Sequence, residues 1–291
     1  MKYFELLKLS ADYLKNKNIE TAQLDAEILL SFADNITREK LISLLNYDVS
    51  EKTVIFFRKL IRLRGARIPI AYIIGEKEFY SYKFFVDESC LIPRPETEQI
   101  IDLAIDNYKN KNSKLKILDL CVGSGNICLT LLLKFSNAKA VAVDISEKAL
   151  LALYNNAEYH SLLNRIMIIN ADVLSLSFYE RFKSEKFDLL VCNPPYISEN
   201  EYLTLAPEVK KEPKNALTPA TNDNLIFYKK IIANLEKLLN VNGSAYFEIS
   251  ENIFAKLQNL QTIYPNLKFL FFNGFNNKPN VLKIFFLESV C

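Results

Sequence analysis

Hydrophobic positions along this chain recur in two rhythms, and the change of rhythm divides it. Phe4, Leu6, Leu7, Leu9, Tyr13 and Leu14 keep helical spacing, which predicts an amphipathic helix. Residues 22–32, 38–45 and 54–63 repeat that rhythm, the last ending near Gly65. No strand-like alternation interrupts them, so residues 1–75 are expected to form a small all-helical domain. Residues 78–92 change to strand-like composition around a polar Asp87-Glu88-Ser89 turn. They predict a β-hairpin within a linker over 76–95. From Glu96 to residue 291 short apolar runs alternate with helical stretches, the signature of an α/β domain with helices on both faces of a parallel sheet. Strands are expected near 116–120, 139–144, 165–170, 187–192, 244–249, 267–272 and 281–287.

Composition narrows the class. Half of the 291 residues are hydrophobic and the formal charge is +2, which argues against disorder and against a bulk nucleic-acid footprint. No apolar run reaches the roughly 18 residues of a membrane span, and the first residues lack a signal-peptide layout. A cytoplasmic protein is expected. Cys90, Cys121, Cys128, Cys192 and Cys291 show no paired C-x-x-C spacing, and His160 is the single histidine, so no metal centre is expected. The thiols are expected reduced and buried, and His160 solvated at a polar helix end. Arg58, Lys59, Arg62 and Arg64, with Arg67 after them, form either a solvated helical face or a contact for an acidic protein or ribosomal RNA.

The candidate chemistry lies at two strand ends. The run 187–192 reads as a buried parallel strand, and Asn193-Pro194-Pro195-Tyr196 follows it. Two prolines cannot continue a strand, so the chain leaves the sheet at its carboxyl edge, where open α/β sheets bind ligands. The Asn193 side chain and the Pro194 carbonyl are two acceptors beside the flat face of Tyr196. They suit a planar NH2 group, either an amide or an exocyclic base amine. Upstream, the strand 116–120 runs into Cys121, Val122, Gly123, Ser124 and Gly125 and then an apolar helix, the opening of a nucleotide-binding βαβ unit. Two of only six glycines sit in this turn. Asp144 ends the next strand about 20 residues on, the position of an acid that holds ribose hydroxyls. The turn is neither G-x-G-x-x-G nor a Walker loop, which disfavours a dinucleotide or ATP phosphate.

With these motifs the chain resembles the peptide chain release factor glutamine N5-methyltransferases, within the class I S-adenosylmethionine-dependent methyltransferases. The resemblance extends to Arg67-Ile68-Pro69-Ile70-Ala71-Tyr72, Glu78-Phe79-Tyr80, Pro93-Arg94-Pro95-Glu96-Thr97-Glu98 and Glu212-Pro213-Lys214-Asn215-Ala216-Leu217. It implies a seven-stranded Rossmann-like methyltransferase domain over 96–291, its last two strands antiparallel, with residues 1–75 docking the substrate. It implies S-adenosyl-L-methionine as cofactor, with residues 121–125 around its amino-acid end, Asp144 on the ribose, Asp172 and Val173 at the adenine, and Asn193 at the reacting end. It implies that Asn193, Pro194, Pro195 and Tyr196 hold the glutamine amide, with the Tyr196 hydroxyl as a further acceptor. For Asp144 and Asp172, helix capping is the alternative role. Arg94, Glu96 and Glu98 either pack domains together or line the substrate entrance. The expected partner is a peptide chain release factor, met by a monomer without a membrane or a direct nucleic-acid contact. The chain departs from the family at Cys121, where glycine is usual, at Val173, where an aromatic is common, and at Ser250, where a glycine is missing. The alternatives are methylation of a ribosomal-protein glutamine or a nucleic-acid adenine, and a degenerate, non-catalytic binding module.

Overall fold

A computed structural model describes residues 1–182 and 185–287; Cys291 lies outside them. The chain divides into two compact units, Met1–Glu76 with Ala206–Lys211, and Lys77–Leu205 with the chain from Glu212 onward.

The first unit is helical: α1 (Tyr3–Lys15), α2 (Ala22–Asp34), α3 (Arg38–Ser43), α4 (Glu51–Gly65) and α5 (Ile70–Ile74). The apolar stripes that predicted the longer helices meet in one core that includes Leu6, Leu14, Ala26, Leu29, Phe57 and Leu60. Helix α4 starts three residues before its apolar spacing begins, because the Ser50 hydroxyl caps it, accepting the Thr53 amide at 3.1 Å. The basic stretch splits in two. Arg58, Lys59 and Arg62 are exposed. Arg64 is buried, its Nε 2.6 Å from Asp25 Oδ2, and its Nη2 shares Glu208 Oε1 with Arg67 Nη1 at 2.9 and 2.8 Å. The arginine fork thus stitches Ala206–Lys211 into the helical unit.

In the second unit β1 (Glu76–Phe79) and β2 (Tyr82–Phe85) form the hairpin. It turns at Tyr80 and Ser81, both at positive φ, and not at Asp87-Glu88-Ser89 as the sequence suggested. Neither residue is a glycine or asparagine, so composition gave no sign of the turn. Asp87 instead accepts the Ser89 amide at 2.9 Å after the hairpin has closed. His160, expected solvated, is half-buried. Its Nε2 lies 2.8 Å from the Lys83 carbonyl, and its ring packs edge-on against Tyr82 and Tyr159.

The remaining strands are β3 (Lys116–Leu120), β4 (Lys139–Asp144), β5 (Ile166–Asn170), β6 (Phe187–Cys192), β7 (Leu239–Glu248), β8 (Leu267–Asn273) and β9 (Pro279–Phe286). They form one sheet in the order β5-β4-β3-β6-β7-β9-β8, parallel from β5 to β7, with β9 antiparallel to both β7 and β8. Successive side chains of a strand serve opposite faces. Leu118, Leu120, Val141, Val143 and Leu190 enter one core. Ile117, Ala140, Ala142, Leu189 and Val191 enter the other. Burial on both faces explains why these strands read as continuous apolar runs. Strand β7 starts five residues before its expected position. A Cβ on Gly243 would come within 3.0 Å of the Phe187 carbonyl, so glycine lets the strand pass its neighbour there. Chain order runs outward from β3 to β5 and then returns to β6 on the other side of β3. The switch point falls between β3 and β6. Among the described residues no helix is long and apolar enough to cross a membrane.

Candidate active site

The register pairs Leu120 with Cys192, so Cys121 and Asn193 leave the sheet side by side at the switch point. A cavity of ≈ 520 Å³ opens there, within the second unit. Cys121, Val122, Gly123, Ser124, Asp144, Asp172, Val173, Asn193 and Pro195 line it. Gly125, Pro194 and Tyr196 do not.

The loop after β3 is shaped by three positive-φ residues, Cys121 (φ 59°), Gly123 (φ 55°) and Gly125 (φ 83°). Nothing lies within 4 Å of a Cβ built on Gly123, so its bare backbone faces open cavity. Gly125 serves packing instead. A Cβ there would meet Leu153 Cδ1 at 2.2 Å, a clash with the helix α6 (Glu147–Tyr159). Beneath the loop, Asp119 is buried; its Oδ2 accepts the Cys128 amide at 3.1 Å, and Oδ1 has no hydrogen-bond partner among the described residues. Burial pushes this carboxyl up to about 7.

Asp144 ties two elements together. Oδ2 accepts the Gly123 amide at 3.0 Å, and Oδ1 accepts the Ser146 amide at 2.9 Å. Burial raises its pKa, and those amide donors oppose the rise. It is not the helix cap. Ser146 caps α6, its hydroxyl accepting the Ala149 amide at 3.2 Å. Asp172 likewise leaves the next cap position to Ser175 and accepts the Leu174 amide at 2.8 Å in a local turn. It is exposed where it lines the cavity, with Val173 buried behind it.

The turn after β6 presents Asn193 half-buried, and no described residue hydrogen-bonds its carboxamide. Pro194 and Pro195 are buried and fix its direction. Tyr196 departs from expectation: its hydroxyl donates to Glu248 Oε1 at 3.2 Å. Glu248 Oε2 accepts the Thr97 hydroxyl. Burial raises the carboxyl of Glu248, while the Thr97 and Tyr196 hydroxyls pull it back. Burial and the Glu248 charge also hold the Tyr196 phenol well above its ordinary range. Cys90, Cys128 and Cys192 are buried and Cys121 is half-buried.

Sequence reasoning gave no role to several lining residues. Residues 213–216 and 218–220, Phe227, Pro93 and Thr97 all reach the cavity. For Pro93, Thr97 and residues 213–216 the signal lay in two stretches singled out only by resemblance; residues 218–220 and Phe227 lie outside both. The two stretches are joined here: Arg94 Nη2 lies 2.5 Å from Glu212 Oε1, and Glu212 Oε2 accepts the Ile92 amide at 3.0 Å. Of the three charged residues in the first stretch, only Arg94 lines the cavity. Glu98 accepts the Tyr80 amide at 2.8 Å, and Glu96 is exposed.

The chain matches the family described as PrmC N-terminal domain over residues 5–75 and that described as Methyltransferase small domain over 101–247. It is similar to a Release factor glutamine methyltransferase of Chlorobaculum tepidum, 38% identical over 88% of this chain and 88% of that protein. A Bifunctional methyltransferase of Rickettsia typhi is 36% identical over 90% of this chain but 52% of that protein, so the chain spans about half its length. Among solved structures, the N-terminal domain of human METTL16 in complex with SAH superposes at a TM-score of 0.51, with 18% identity over 84% of this chain and 85% of that one; this likeness bears on the fold alone.

Proposed function

The chain belongs to the release factor glutamine methyltransferase family, and on that premise we propose that it transfers a methyl group from S-adenosylmethionine to the side-chain amide nitrogen of the glutamine in the Gly-Gly-Gln loop of peptide chain release factors, in the cytoplasm. The observation that carries the reading is the adjacency of Asn193 and the 121–125 loop in one cavity. An acceptor for the substrate amine and a loop suited to the cofactor thereby face each other.

The residues fit the cofactor. Gly123 leaves open space for it, Asp144 supplies an acceptor for ribose hydroxyls, Asp172 supplies one for the adenine amine, and Val173 gives an apolar wall. When bound, the cofactor supplies an electrophilic methyl on a sulfonium, a good leaving group. The chain's own task is alignment. An amide nitrogen is a poor nucleophile because its lone pair is delocalised into the carbonyl. The Asn193 carboxamide oxygen, which lines the cavity, is assigned one N–H, and the Pro194 carbonyl of the same turn, although Pro194 is not among the lining residues, is assigned the other; together they aim the lone pair. They also stabilise the positive charge that develops on nitrogen, favouring the transition state over the neutral ground state. The proton then leaves to water. The helical unit, which has its own core, is assigned to docking the release factor.

The test is the intact mass of a release factor after incubation with the full chain and S-adenosylmethionine. The reading expects one added methyl group. No added mass on any release factor, with cofactor binding intact, would contradict it.

A further inference from the structure

We propose that Glu248 is a positioning residue for methyl transfer, its buried carboxylate bracing the 193–196 turn from behind the cavity through the Tyr196 hydroxyl; the inference rests on the glutamine-methylation reading above. Glu248 is the last residue of β7, 4% exposed, one place beyond the Phe247 that pairs with Cys192. It therefore lies level with Asn193 at the sheet edge but does not line the cavity. Its two oxygens divide their work. One accepts the Tyr196 hydroxyl at 3.2 Å, and the other accepts the hydroxyl of Thr97, itself 1% exposed. The Glu248 backbone carbonyl accepts the Tyr228 hydroxyl at 2.7 Å, which fixes the strand end itself.

A carboxylate only accepts, so both hydroxyls must donate to it and a single hydrogen-bond pattern results. A neutral amide of the same shape both donates and accepts, which admits a second pattern and frees Tyr196 to turn. No salt bridge neutralises Glu248 among the described residues. Arg94 and Glu96, from the stretch that carries Thr97, act on it with opposite signs. A buried carboxylate without an ion-pair partner works against folding, and an isosteric neutral residue is often neutral or stabilising there. Its place behind a turn that must hold developing positive charge gives it a use. It adds fixed negative potential behind that turn and, through the Tyr196 hydroxyl, keeps the turn in one arrangement.

The test compares full-length parent, Glu248→Gln, Tyr196→Phe and the double variant in methylation of intact release factor, with cofactor Kd by calorimetry and Tm for each. The expected result for Glu248→Gln is a fall in kcat of about tenfold or more, with cofactor Kd within about threefold and Tm unchanged or raised. Tyr196→Phe should show a loss of similar size, and the double variant should be no worse than the larger single loss, because the two residues act as one unit. A merely structural role would lower Tm and leave kcat per folded molecule intact. Turnover of Glu248→Gln within twofold of the parent, or losses that multiply in the double variant, overturns the inference. Should Glu248→Gln fail to fold, Tyr196→Phe decides: it removes one oxygen, and turnover within twofold overturns the inference equally. A parent that binds cofactor but methylates no release factor overturns the glutamine reading itself, and this inference with it.

Discussion

The Asp144 carboxylate accepts the Gly123 amide at 3.0 Å and the Ser146 amide at 2.9 Å, so one side chain joins the end of β4 to the loop after β3. Asp144→Ala should weaken S-adenosylmethionine binding by about 1.5–3 kcal/mol, the value of charge-assisted hydrogen bonds, or roughly 10- to 100-fold. Calorimetric titration of cofactor checks this. Unchanged affinity would confine Asp144 to holding the loop.

Asn193→Ala should act on the other half of the reaction. The carboxamide has no partner among the described residues, so its removal leaves the fold intact. Turnover should fall by ~100-fold or more while cofactor affinity stays within a few-fold. Steady-state kinetics with near-normal kcat would remove Asn193 from the mechanism.

Asp119 predicts a pH dependence of stability. Burial holds its folded pKa at about 7 against an ordinary 3.8, and the neighbouring Asp144 charge adds to the rise. The folded chain keeps this proton where the unfolded chain has released it. Its stabilising contribution is complete below about pH 4 and is lost as pH rises through about 7, with a ceiling on the order of 4 kcal/mol. Denaturation midpoints should therefore fall between pH 5 and 8 for the parent, and the slope should flatten in Asp119→Asn. Equal slopes in the two proteins would contradict the assignment.

Cys121 sits at φ 59°, a conformation that costs an L residue about 1–2 kcal/mol and glycine almost nothing. Glycine also gains freedom in the unfolded chain and loses the contact that Cys121 makes with the core. These effects oppose each other. Cys121→Gly should change stability by no more than about 1 kcal/mol and leave cofactor affinity equal or tighter. A chemical-denaturation curve together with a binding titration reads both, and loss of activity would assign the thiol a role of its own.

What the chain's pattern disclosed, and what it concealed, follows from the range of the forces involved. The strands 116–120, 139–144 and 187–192 announced themselves because burial on both faces demands continuous apolar runs. The two halves of the cavity were legible because glycines, prolines and a strand-end acid are local requirements. The turn at Tyr80 and Ser81 was not, since ordinary residues there adopt positive φ under the packing of the hairpin. Glu248 and Thr97 were not, because their pairing spans 151 positions of sequence and no spacing rule connects them. The split of the basic stretch was hidden for the same reason, with Glu208 arriving at Arg64 from 144 positions away.

The most direct measurement is fragmentation mass spectrometry of an intact release factor after reaction with labelled S-adenosylmethionine, run beside a release factor whose loop glutamine is replaced by asparagine and beside adenine-containing DNA. The account predicts label on the glutamine side chain alone. It predicts none on the asparagine variant, whose amide falls short by one methylene, a displacement of about 1 Å that costs roughly 100-fold. Label on DNA adenine, with none on the glutamine, would contradict it.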